Sequence, residues 1–417
     1  MRRTREPRRT REPRRTREPR QAVGRESWLR LGACTAAAAL LQIDGTLITV
    51  ALPSVARGLD VSSASTSVVL SAYFISYALV LLPAGSLVDR FQARYVALAG
   101  LGVFAAGAAV GGLAHSMTVL LVSRVIQGAG AGLVSPAALA GAVSGFPPER
   151  RGSALGIWGA SAGVANLVGP LLGGLLTVAL GWRANWWVLV PLALAAAAAI
   201  AAFLPPLPAL AESHGGRVLN TVVTAATLIA GLTFAVMIGT FYLAEQYLQR
   251  VVGYSALGAS AVLVLVAFLV GGAAPIAGRL ADTRGERLPA LLGFLSAAAG
   301  LAVLSIPSLS LHGPLAMAAL IPVGLGLGML FVPTSRAALN ANPSSMLGRT
   351  SAVLSVGRLL GAAVGAGLAG AALTAGASAD TVHSALLFGA GLCLLVGMPA
   401  CLLLAPRLPA VSRATPT

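Results

Sequence analysis

Four polar side chains stand inside long apolar runs, and their types could do chemistry there. Asp44 lies in Ile43-Asp44-Gly45-Thr46 and is the one acid deep within any apolar run of the first half. Arg124 lies in an uncharged stretch, with Gln127 three residues on and so on the same helical face. Glu245 lies near the end of a later run and is the lesser candidate for protonation. A carboxylate held in apolar surroundings can take up and release a proton, and a buried arginine is normally paired and functional. A bland alternative stands beside this: Asp44 as a structural acid permanently paired with Arg124. Cys34, Cys393 and Cys401 and the four histidines show no metal-ligand spacing, and no nucleophile elbow or phosphate-binding loop is visible. The expectation is therefore no enzyme, no metal and no cofactor.

The elements that must position these residues are membrane helices. Of the 417 residues, 57% are hydrophobic and 10% charged, whereas a soluble domain carries about 25% charged residues. With ~20 apolar residues needed per crossing, twelve spans are expected, at 29–53, 66–88, 95–114, 118–141, 152–176, 184–204, 219–244, 256–278, 288–308, 315–338, 350–375 and 383–405. The first is too long for a cleaved signal peptide and carries Asp44, so it is read as retained. The fold class is thus an all-α polytopic membrane protein.

All basic residues are Arg, and alternate loops collect them: the N-terminal tail, Arg90 and Arg94, Arg150 and Arg151, Arg217, Arg279, Arg284 and Arg287, Arg349, and Arg407 and Arg413. The other loops hold Arg57, Arg183 and Arg250. The positive-inside rule makes the first set and both termini cytoplasmic, in a cell inner (plasma) membrane. It also places Trp182, Trp186 and Trp187 at the outer interface. Residues 1–28 hold an Arg-rich tail with a threefold Arg-Arg-Thr-Arg-Glu-Pro repeat, too polar to pack and suited to anionic lipid. Nucleic-acid binding is not expected, since no aromatics interleave the charges.

The halves echo each other. Gly85-x-Leu87-x-Asp89 recurs as Gly278-x-Leu280-x-Asp282, and Arg151-x-Ser153-Ala154 as Arg349-x-Ser351-Ala352. The expected domains are a six-helix bundle over 29–205, a linker over 206–218, a second bundle over 219–405 and a tail over 406–417. Parallel repeats of this kind rock about a central site.

Four segments carry a resemblance to the major facilitator superfamily, and within it to the drug:proton antiporters that usually have fourteen helices. They are Gly85-Ser86-Leu87-Val88-Asp89-Arg90-Phe91-Gln92-Ala93-Arg94, Leu120-x-x-x-Arg124-x-x-Gln127-Gly128-x-Gly130, Gly159 through Gly163 and Gly169-Pro170 to Gly173-Gly174, and the Asp44 segment up to Pro53. Tyr247-Leu248-Gln249-x-Val251-x-Gly253-Tyr254-Ser255 and Arg358 with Gly361 and Gly365 agree. The chain departs from the pattern with Gln92 where the signature usually has Gly, Thr49 where Asn is usual, and no extra helix pair between the bundles.

The resemblance implies two pseudo-symmetric six-helix bundles and proton-coupled efflux of a lipophilic or amphipathic small molecule by alternating access, in a monomer. It gives Asp44 and Arg124 the proton coupling, and Gly85, Asp89, Arg90, Arg94, Gly278 and Asp282 a conformational latch. Gly159, Gly163, Gly169, Pro170, Gly173 and Gly174 would supply antiporter-type helix packing. On pattern alone, Gln42, Tyr73, Tyr77, Gln127, Asn166, Phe234, Phe241, Asn340 and Arg358 are candidates to line the substrate cavity. A metabolite exporter or facilitator without proton coupling, and a transporter-like membrane sensor, remain open.

Overall fold

The computed structural model describes residues 24–146, 151–206, 218–306, 314–342, 346–375 and 378–404. They form twelve long helices and, among the described residues, no strand. These are α1 (Arg25–Gly58), α2 (Ser63–Phe91), α3 (Ala93–Gly112), α4 (Met117–Ser144), α5 (Arg151–Leu180) and α6 (Ala184–Phe203) in the first half. The second half holds α7 (Thr221–Arg250), α8 (Ala256–Arg284), α9 (Arg287–Leu304), α10 (Pro314–Asn340), α11 (Leu347–Ala372) and α12 (Ala379–Leu402). Each expected span falls on one helix; α1, α2, α4, α5, α8 and α10 run past their apolar windows, whereas α3, α6, α9, α11 and α12 end a few residues before theirs. At 1.5 Å per residue α1 is about 50 Å long, more than the ~30 Å of hydrocarbon. Most of the N-terminal tail, the linker and the C-terminal tail lie outside the described residues.

Successive helices run antiparallel, so α1 begins and α12 ends at one face, here called terminal; the opposite face is called distal. Short polar residues start the helices where the apolar runs begin. Ser62, Ser116, Ser255 and Ser378 cap α2, α4, α8 and α12 at the distal face by accepting from the backbone N–H three residues on, and Asn220 caps α7 at the terminal face. Within α12, Cys393–Gly397 widens into a π-turn just before Pro399, whose missing N–H frees the preceding turn.

Lipid offers no hydrophobic drive between helices, so close packing of small residues must hold them. A Cβ on Gly107 would meet Gln127 N at 2.7 Å, and one on Gly130 would meet Phe104 N at 2.6 Å, which seats α3 on α4. In the second half a Cβ on Gly361 would sit 1.9 Å from Gly231 O, which joins α11 to α7. The halves meet along α2 against α11 and α5 against α8.

That seam is asymmetric. Thr66 Oγ1 bonds Tyr242 Oη at 2.8 Å, Gln249 Nε2 donates to Val50 O at 2.9 Å, Arg250 Nη2 to Pro53 O at 3.4 Å, and Ser71 Oγ to Ala363 O at 2.9 Å. These bonds all lie in the distal half of the molecule. At the terminal end, a cleft of about 890 Å³ opens between α2, α7 and α11, lined among others by Leu82, Thr224, Leu228, Arg349 and Val353.

The three tryptophans stand at the distal end, beside the ends of α1 and α3. Trp186 is fully buried against Gly111, and Trp182 is buried beside Gly58; only Trp187 of the three is exposed. Glycines opposite the indoles let them enter the bundle.

Candidate functional site

Asp44 and Arg124 meet at the middle depth of the first bundle. Arg124 Nη1 donates to both carboxylate oxygens, at 2.8 Å and 2.9 Å, and to Gln127 Oε1 at 3.0 Å. Its Nε donates to Val69 O at 3.3 Å. The guanidinium carbon lies 4.2 Å from the centroid of the Tyr73 ring, a cation–π contact. Tyr73 Oη donates to Leu41 O at 3.1 Å and so ties the ring to α1. Asp44, Arg124 and Gln127 are all completely buried. Three helices, α1, α2 and α4, converge here because the spacing of Arg124 and Gln127 turns both inward, while Gly128 lets α4 approach Ser76 and Tyr73 of α2. Arg124 Nη2 and Gln127 Nε2 are buried without a hydrogen-bond partner among the described residues, so the site keeps two donors that its own carboxylate does not occupy. Removing the charge of one member of a buried pair leaves the other unmatched and is costly.

The other expected cavity residues divide into groups. Tyr77 packs edge-on against Tyr73, with ring centroids 5.8 Å apart. Gln42 and Asn166 are partly exposed on α1 and α5. In the second bundle, Arg358 Nη2 donates to Ser335 Oγ at 2.7 Å, and its guanidinium lies 5.9 Å from both the Phe234 and Phe331 rings. Phe234 and Phe331 tilt against each other at 5.5 Å. Phe241 is buried. Asn340 is the last residue of α10 and exposed at the terminal face, away from the mid-depth where a central cavity was expected. The apolar run breaks at Thr334-Ser335-Arg336 and the expected span ends at 338, so that depth was already legible in the sequence.

The loop residues expected to form a latch behave differently in the two halves. Asp282 accepts a short hydrogen bond from Arg336 Nη1, and Glu286 Oε1 stands 3.6 Å from Arg336 Nε, so an ionic cluster joins α8 to α10 at the terminal face. Gly278 precedes it on α8, where a Cβ would only touch Val332. In the first half, Gly85 is partly exposed, Arg90 lies over the Phe91 ring at 5.1 Å, and Arg94 Nε is buried without a hydrogen-bond partner among the described residues. The side chain of Asp89 lies outside the described residues. Gln92, where the signature usually has Gly, adopts φ +67°, and Gly285, 193 positions later at the offset of the repeat, adopts φ +83°.

On α5, a Cβ on Gly169 would meet Thr46 Oγ1 at 1.9 Å and one on Gly173 would meet Leu47 O at 2.6 Å, so both press α5 onto α1 next to Asp44. Gly174 faces the other half, where a Cβ would meet Ser260 Oγ at 2.5 Å. Pro170 is buried between them. Gly159 and Gly163 fall in the part of α5 whose side chains are outside the described residues.

Motif matching left Ser335, Phe331, Tyr242 and Gln246 unnoticed. The last two were findable, because Tyr242, Glu245, Gln246 and Gln249 recur at helical spacing and make one polar stripe on an apolar helix.

Two antiparallel six-helix bundles around buried charge define a polytopic membrane carrier. The family model described as Major Facilitator Superfamily matches residues 34–366, and the chain belongs to that superfamily. It is 39% identical over 184 residues to an uncharacterized MFS-type transporter of Mycobacterium tuberculosis, a match covering 44% of this chain and 32% of that protein. It is 35% identical over 169 residues to the tetracenomycin C resistance and export protein of Streptomyces glaucescens, covering 40% and 31%. These two matches span about a third of those relatives' length. The puromycin resistance protein of Streptomyces alboniger is 30% identical, over 82% of this chain and 80% of its own length. The fold is also that of a bacterial homolog of the human lysosomal transporter Spinster, solved in an inward-facing and occupied conformation. That likeness has a TM-score of 0.77 at 19% identity, over 91% of this chain and 98% of the other.

Proposed function

We propose that this chain exports a lipophilic or amphipathic small molecule in exchange for protons, by rocking two bundles, 29–205 and 219–405, about a central site. The terminal face is cytoplasmic on the distribution of arginine, and the working unit is a monomer in the cell membrane. The observation that carries the reading is the fully buried Asp44–Arg124 pair at mid-depth, in a molecule bonded across its halves at the distal end and cleft at the terminal end. A charge pair buried at bilayer depth is costly and is retained where it does work. The names of relatives that confer resistance to tetracenomycin C and puromycin support an export direction.

In this scheme substrate enters from the terminal cleft and rests against Phe234, Phe331 and Arg358 on one side and Gln42 and Asn166 on the other. A proton on Asp44 breaks its attraction to Arg124, whose free donors then bond elsewhere and shift α4 relative to α1. A second reading has its own observation: the two-oxygen grip of one guanidinium nitrogen suits a permanent structural pair, and the chain would then be a facilitator or an exporter without proton coupling. Purified protein in vesicles, tested for proton movement driven by a substrate gradient, separates them. Proton movement that Asp44→Asn abolishes supports exchange, and transport with no proton movement supports the facilitator.

A further inference from the structure

Glu245 is the other buried acid, and it sits in the seam that closes the distal face. It is completely buried on α7. Gln249 Nε2 donates to its Oε2 at 2.6 Å, and the same nitrogen donates to Val50 O on α1 at 2.9 Å, so one amide links the carboxyl to the opposite half. Its Oε1 has no hydrogen-bond partner among the described residues. Beside it, Gln246 Nε2 donates to Thr66 Oγ1 on α2 at 3.3 Å, in the same seam as the Thr66–Tyr242 bond.

Among the described residues, no cation pairs with it. On α7 itself, Arg250 is turned to Pro53 O, and on α1, Arg57 is turned to Ser54 Oγ. Asp44, deeper on α1, belongs to Arg124. On α12, Asp380 is another acid and His383 Nδ1 is bonded to Leu304 O. Arg358 on α11 is bonded to Ser335, and Arg336 on α10 is paired with Asp282; Arg349 on α11 and Arg279, Asp282 and Arg284 on α8 stand at the terminal end. An ionised carboxylate sealed here would be an isolated charge in an apolar seam, which is far more costly to bury than the neutral acid.

We propose that Glu245 is a proton-binding site that governs closure of the distal mouth. It takes a proton from the distal aqueous side while the mouth is open, and only the protonated acid folds into the α1–α7 seam. When the mouth reopens, the proton returns to the same side. Glu245 therefore sets how the return step depends on distal pH, without adding to the protons exchanged at Asp44. The inference rests on the alternating-access reading above.

The test is a distance measurement across the mouth by pulsed electron paramagnetic resonance, with spin labels at Ser62→Cys and Tyr254→Cys on the distal loops and Cys34, Cys393 and Cys401 replaced by Ser. In lipid nanodiscs the wild-type background is expected to shift from a short to a long distance as pH rises. Glu245→Gln, a neutral mimic of the protonated acid, is expected to hold the short distance at every pH; Glu245→Asp is expected to keep a pH response with a displaced midpoint. Asp44→Asn is expected to keep it too. A pH response that survives in Glu245→Gln, or one lost in Asp44→Asn alone, overturns the proposal. So does a wild-type distance that does not respond to pH. If Glu245→Gln does not insert, infrared difference spectra of the Asp44→Asn protein decide: a protonated-carboxyl signal lost in step with the distance change supports the site, and its absence refutes it. The reading needs no substrate, so it stands or falls separately from proton-coupled export.

Discussion

One nitrogen of Arg124, Nη1, holds both oxygens of Asp44, at 2.8 Å and 2.9 Å, across the α1–α4 contact with no exposure of either residue. Removing one member of such a pair leaves the other as a buried, unmatched charge, at a cost of about 3–5 kcal/mol. Arg124→Ala is therefore expected to lower thermal stability in detergent sharply. Asp44→Asn combined with Arg124→Gln is expected to recover most of that loss, because no bare charge remains. A double variant as unstable as the sum of the singles would contradict the pairing.

Gln92 holds φ +67° where the repeat places Gly285 at φ +83°. A left-handed residue with a side chain costs about 1–2 kcal/mol relative to glycine. Gln92→Gly is expected to raise the melting temperature, whereas Gly285→Ala is expected to lower it. The effect is local, so neither change should alter which substrates are moved.

Gly174 brings α5 against Ser260 and Leu257 of α8 across the two halves. A Val there cannot be accommodated without separating the helices. Gly174→Val is expected to lengthen the distal distance between the halves at all pH values, which spin labels on the distal loops would register. An unchanged distance would mean that this contact does not close the mouth.

Much of this was legible in the chain. The twelve helices were readable because apolar length alone decides what can cross a bilayer. Asp44 and Arg124 stood out because charge inside an apolar run is rare. Their pairing was foreseen only as an alternative, since no sequence spacing relates residues 80 positions apart. The polar stripe of Tyr242, Glu245, Gln246 and Gln249 was overlooked as a unit. Its residues lie near a helix end, where polar groups usually face water, and burial follows only once the other half packs over them. Asn340 lies two positions beyond the expected span 315–338 and just past Arg336, so its place at the terminal end was legible in the sequence.

Arg358, Phe234 and Phe331 give a cationic and aromatic wall in the second bundle. A cationic dye stacked on the Phe234 ring in the proposed cavity gains about 0.5–2 kcal/mol, so Phe234→Ala is expected to weaken its binding by roughly 2- to 30-fold at 1.4 kcal/mol per tenfold. Fluorescence titration of purified protein reads this directly. Arg336→Ala, which removes the exposed pair with Asp282, should change stability by less than about 1 kcal/mol.

The measurement that bears most directly on the central claim is proton flux in proteoliposomes under an imposed substrate gradient, comparing wild type with Asp44→Asn. Exchange predicts that substrate movement in the wild type drives protons the opposite way, and that Asp44→Asn still binds substrate but no longer moves protons with it. Equal proton movement in both proteins, or substrate movement with no protons in the wild type, would contradict it.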